Sequence, residues 1–276
     1  MFFSAHSSLR SFSSVHNQSL PTIGTIDYAQ QNRSTTRRWV VGRPEHGLGT
    51  LFMYDQTGAV SRMMAYLSYA VHIPMTRTLR VSFGVHGGFL RYRQNNDALF
   101  PLDPNDPVLG TGIASTFIPD VAAGIMIRHP NFYWGFAVNQ LLENNFGIAD
   151  AELGNPNELL RHYYVHGGYR FALDARERIH LTPSTMIRFL PGAPVSADVN
   201  ALLDFGLGTR YFRVGLGYRY DNALSGLVGF SINRLLDLTY SYDYTTTRLN
   251  ELNSGTHEIS LGLKVGKLTD DRPRLY

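Results

Sequence analysis

The chain contains no cysteine, which excludes disulfides, thiolate zinc sites and cysteine nucleophiles. No apolar run approaches the ~18 residues a membrane helix needs, so a helical membrane protein is excluded as well. Charge is sparse: Asp, Glu, Lys and Arg make up 17% of the chain, where soluble domains carry roughly 25%. The net charge is only +3 and the basic residues form no dense tract, so no nucleic-acid partner is expected. Nor does any segment keep a helical period. No linker or composition shift divides the 276 residues, and a single domain over 1–276 is expected, with 267–276 as a C-terminal tail. The start, MFFSAHSSLRSFSSVHNQ, lacks a charged region followed by an apolar stretch of ~7–15 residues. The expectation is that a signal peptide and a first segment are missing.

What the chain does have is alternation. In LRVSFGVHGGFLRYR (Leu79 to Arg93), Leu79, Val81, Phe83, Val85 and Phe89 oppose Arg80, Ser82, Gly84, His86 and Gly88. Period two places these rows on opposite faces of a strand. The pattern recurs near 46–55, 61–72, 119–129, 132–140, 161–172, 178–190, 196–205, 210–220, 223–232, 236–245 and 256–266, with weaker strands near 10–18 and 21–30. About fourteen strands result, an even number within the range of bacterial outer-membrane barrels.

A soluble barrel would solvate its polar rows with Lys and Glu. These rows hold Gly, Ser, Thr, Asn and Tyr, punctuated by Arg80, His86, Arg170, Arg188, Asp198, Asp204, Arg213, Arg219, Asp237, Asp243 and Glu258. Small residues with opposite charges suit the crowded lumen of a barrel. The apolar rows end in aromatics, as at Tyr218 and Tyr220 or Tyr240, Tyr242 and Tyr244, which suits interfacial girdles. The expected fold is therefore all-β: a closed antiparallel transmembrane β-barrel whose longest loops, near 94–118, 141–160 and 246–255, share the extracellular end. The long stretch 31–44 falls on the short-turn end and breaks that pattern.

Motifs for chemistry are weak. DPNDPVLGTG (Asp103 to Gly112) clusters oxygen ligands but lacks the calcium-loop spacing and its distal Glu. His162 and His166 are four apart, which on a strand separates them by ~13 Å, too far for one ion. The glycines of GLGTRYFRVGLG precede no helix, so a dinucleotide fingerprint is rejected. No nucleophile elbow singles out a serine. No catalytic residue, metal site or cofactor is expected.

Taken in order, GLGTLFMYDQTGAVSR, YLSYAVHIP, LRVSFGVHGGFLRYR, DPNDPVL, FYWGFAVNQLL, RHYYVHGGYRF, SADVNALLDF, RYFRVGLGYRYDNALSGLVGFSIN, LDLTYSYDYTTTRL and SGTHEISLGL resemble the PorP/SprF family. These are outer-membrane proteins of the type IX secretion and gliding-motility machinery of Bacteroidota. The resemblance spans about residues 10–265. It implies a non-enzymatic barrel in the bacterial outer membrane that anchors or helps export a secreted adhesin through the cargo's C-terminal secretion domain. Outer-membrane lipid and periplasmic lipoproteins of the secretion motor are the further partners it implies. Partner-binding candidates in the long loops are Asp103, Asn105, Asp106, Asn144, Asn145, Asn250 and Glu251. The alternative is a diffusion channel for small solutes lined by the Arg and Asp rows.

Overall fold

A computed structural model of the chain describes residues 2–8, 44–76, 78–98, 113–144, 158–207, 210–233, 235–247 and 255–263. Fourteen strands form one antiparallel sheet: β1 (Phe2–Ser8), β2 (Glu45–Thr57), β3 (Val60–Pro74), β4 (Arg80–Asn95), β5 (Ile113–Arg128), β6 (Phe132–Asn139), β7 (His162–Tyr169), β8 (Phe171–Ala172), β9 (Ile179–Phe189), β10 (Ser196–Leu207), β11 (Arg210–Arg219), β12 (Ala223–Ser231), β13 (Leu236–Thr245) and β14 (Thr256–Leu263). Thirteen follow one another in chain order as an up-and-down meander, and β8 adds to β9 beyond the end of β7. Among the described residues β1 and β14 do not pair with each other, so the sheet is traced from one edge strand to the other.

The alternation fixes the register. Tyr66 of β3 stands opposite Gly88 of β4, which stands opposite Asp120 of β5, so polar rows align across neighbouring strands. The same holds from Asp204 to Arg213 to Gly229 across β10, β11 and β12. The opposite face carries Leu67, Phe83, Val85, Phe117, Val199, Leu216 and Leu224, all half or more exposed. Residues buried in the fold lie on the polar face instead, among them Asp120, His180, Thr182, Asp204 and Arg213.

Three differences from the sequence reading have physical causes. The first strand is Phe2–Ser8, where the weak alternation gave no strand; the strands expected near 10–18 and 21–30 fall outside the described residues. The loop expected over 94–118 is shorter, because the β4–β5 ladder runs out to the pair Asn95 and Ile113. Pro119, where the expected strand 119–129 began, lies inside β5 and is tolerated because β6 pairs only with Ala123–Arg128 and leaves that side of β5 outside the ladder. The single strand expected over 161–172 is split at Arg170, just past the register position where Pro183 of β9 faces Tyr169 and has no N–H to donate.

The connections after β4, β6 and β13 share one end of the sheet, and those after β3, β5 and β12 are short turns at the other. The stretch 31–44, expected to break the loop pattern, lies outside the described residues up to residue 43.

Candidate functional site

The polar face holds the chemistry, and cross-strand register builds it. Asp204 and Arg213 are directly opposed on β10 and β11, and Asp198 opposes Arg219 six positions along the same ladder. Arg213 donates from Nε to Asp204 Oδ1, with both side chains under 9% exposed. Asp198 is shared: Arg188 Nη2 donates to both its oxygens at 2.8 Å and Arg219 Nε donates to Oδ1 at 3.3 Å. Arg188 also reaches Ser196 Oγ at 3.2 Å. Desolvated charges are tolerated only when paired in this way.

The remaining charged candidates lie on the same face. Arg80 pairs with Glu45 at 3.6 Å. Arg170 is buried beside the β7–β8 break. Asp237 lies within hydrogen-bonding reach of Tyr211, and Asp243 stands opposite Ser225. Glu258, on the exposed strand β14, accepts from Ser260 Oγ at 3.3 Å. His86 stacks against Tyr66 with ring centroids 4.6 Å apart, and the Tyr66 hydroxyl donates to Asp120 Oδ2 at 2.8 Å. The buried Tyr66–Asp120 bond was missed in sequence because two strands and 54 residues separate the partners; only the register brings them together.

The two halves of this face differ. From β9 to β11 it carries the ion pairs Arg188–Asp198, Arg219–Asp198 and Arg213–Asp204. Over β3–β7 it is lined by small residues, and a hollow of about 330 Å³ lies there, bordered by Ser68, Ser82, His86, Ala122, Asn139 and His166. Glycines seat the rings around it. A side chain at Gly135 would meet His166, and one at Gly88 would meet Tyr66 and the Ala65 carbonyl.

One pair resembles a catalytic fragment: His72 Nδ1 and Ser82 Oγ are 2.8 Å apart. Both residues sit within the β3–β4 ladder, two pairs from its end, where neighbouring backbone amides are committed to strand pairing and offer no oxyanion hole. The bond is a cross-strand tie. Among the described residues no group of three His, Asp or Glu side chains is placed to hold a metal ion.

Of the loop candidates, only Asn144 is described. Its side-chain amide donates to the Pro119 carbonyl at 2.6 Å and its own carbonyl accepts from the Leu159 amide at 2.9 Å, which ties the stubs of the long β6–β7 connection to β5. Asp103, Asn105, Asp106, Asn145, Asn250 and Glu251 lie outside the described residues.

The outer face is chemically opposite. Following the register from β2 to β14, every Asp and Glu of these strands falls on the polar face, and the apolar face carries three charged side chains, Arg91, Arg93 and Arg210, all near strand ends. Comparison with curated proteins gives no match. A family model described as "Type IX secretion system membrane protein PorP/SprF" matches residues 15–263.

Proposed function

The chain belongs to the PorP/SprF family of type IX secretion system membrane proteins, and from that premise we propose that it is a closed outer-membrane β-barrel that anchors a secreted surface protein, or helps export it, through the cargo's C-terminal secretion domain. The family is one of secretion-system membrane components, not of enzymes.

The observation that carries the reading is the partition of charge across the sheet: no carboxylate on the apolar face of β2–β14, and paired charges on the polar one. That is the partition lipid on one side and a crowded lumen on the other would select. On β4 the apolar row runs from Val81 to Phe89, ~27 Å along the strand and ~20 Å across a bilayer at 45° tilt. In hydrocarbon an unpaired backbone group costs several kcal/mol, so the sheet edges are read as joined. The long connections at one end then form the extracellular surface for cargo, with periplasmic lipoproteins as partners at the short-turn end.

Removing residues 97–111 spares the terminal Asn95–Ile113 pair of the β4–β5 ladder. This deletion is expected to leave a heat-modifiable barrel in the membrane while abolishing surface retention of one secreted protein. Unchanged retention of every surface protein would count against this loop as the cargo site.

A further inference from the structure

We propose that Arg91 and Arg93 form a binding site on the outer wall of the sheet for the phosphate of a membrane lipid headgroup.

The two arginines lie on β4 at alternate positions, so both point to the apolar face, and both are exposed. They stand where that face changes character. Phe89 and Phe117, stacked with centroids 4.3 Å apart, close the apolar row on β4 and β5. The next outward residues toward the long connection are Arg91, Ser115, Arg93 and Asn95. Arg91 lies ~7 Å along the strand from Phe89, which is the spacing from acyl chain to headgroup. Its Nε donates to Ser115 Oγ at 3.3 Å. That contact fixes the guanidinium plane and leaves the Nη edge, which matches a phosphate bidentately.

Charge complementarity selects an anion. Outward neighbours on the flanking strands are Tyr54 and Gln56 on β2, Ser61 and Met63 on β3, and Ser115 and Phe117 on β5. No carboxylate of strands β2–β14 shares this face, and among the described residues neither arginine is placed in an ion pair. On the other face the arginines are neutralised, Arg213 by Asp204 and both Arg188 and Arg219 by Asp198. The aromatic floor selects a lipid over free phosphate, because an occupant resting on Phe89 and Phe117 buries apolar surface that a small ion cannot.

This inference rests on the apolar face meeting lipid, and the experiment separates the two. The purified full chain is reconstituted in phosphatidylcholine nanodiscs doped with diphosphorylated lipid A, with its dephosphorylated form, or with neither, and bound lipid is counted by native mass spectrometry. The expected result is retention of the phosphorylated lipid alone, falling about tenfold in Arg91→Gln/Arg93→Gln and unchanged in Arg210→Gln, whose arginine lies at the opposite end of the sheet. Inorganic phosphate is expected not to compete at millimolar concentration. Equal retention of both lipid forms, competition by phosphate, or no loss in the double variant would overturn the site while leaving the barrel reading intact. Failure of the chain to enter nanodiscs at all would overturn the barrel reading itself.

Discussion

Asp204 and Arg213 face each other across β10 and β11, buried and bonded through Nε, and they are the most enclosed ion pair the described residues contain. Removing one partner strands the other charge, which typically costs about 3–5 kcal/mol. Asp204→Ala is therefore expected to lower the temperature at which the heat-modifiable band is lost. The double variant Asp204→Leu/Arg213→Leu is expected to regain much of that loss, because an apolar pair of similar volume strands no charge. Equal loss in both variants would contradict the pairing account.

Register predicts which glycines are obligatory. A Cβ at Gly88 would clash with the Ala65 carbonyl oxygen and the ring of Tyr66, whereas one at Gly226 meets nothing within 4 Å. Gly88→Ala is expected to destabilise by about 1–3 kcal/mol. Gly226→Ala is expected to change stability by less than about 0.5 kcal/mol. Urea unfolding in detergent micelles measures both, and matching values would contradict the register.

The contrast shows what could be read in the residues. Period two revealed the strands and their faces because each side chain reports its own solvent, as Phe83 and Val85 do against Ser82 and His86. Pairing is a different matter. Nothing local to Tyr66 points to Asp120, and nothing local to Arg188 says that it shares Asp198 with Arg219. The loop candidates other than Asn144 lie outside the described residues.

At the short-turn end, Asp174 accepts backbone hydrogen bonds from Arg178 at 2.6 Å and Ile179 at 2.8 Å. The Ile179 amide foremost, then those of Arg178 and Arg176, hold its carboxyl below the usual carboxylate range. A depressed carboxylate stabilises the folded turn above its unfolded pKa, and that contribution is lost as pH falls through the lower folded value. Hydrogen exchange of the Arg178 and Ile179 amides is expected to stay slow at neutral pH and to accelerate only below the ordinary carboxylate range. In Asp174→Ala it is expected to be fast throughout. A variant with native protection would remove the carboxylate from the account.

The neutralised pairs that fill the polar face from β9 to β11 favour a scaffold over an open pore. Purified chain in planar bilayers is expected to show no large steady current. A large ohmic conductance would instead support the diffusion-channel reading.

The central claim, that the apolar face meets lipid, is open to one direct measurement. The chain has no native cysteine, so spin labels report single sites without background. Val85→Cys and Val228→Cys probe the apolar face, and Ser68→Cys and Ser225→Cys the polar one. In reconstituted bilayers, the first two are predicted to collide mainly with oxygen dissolved in the acyl chains and the last two with a water-soluble relaxation agent. Water access at Val85 and Val228 equal to that at Ser68 and Ser225 would contradict a lipid-facing wall.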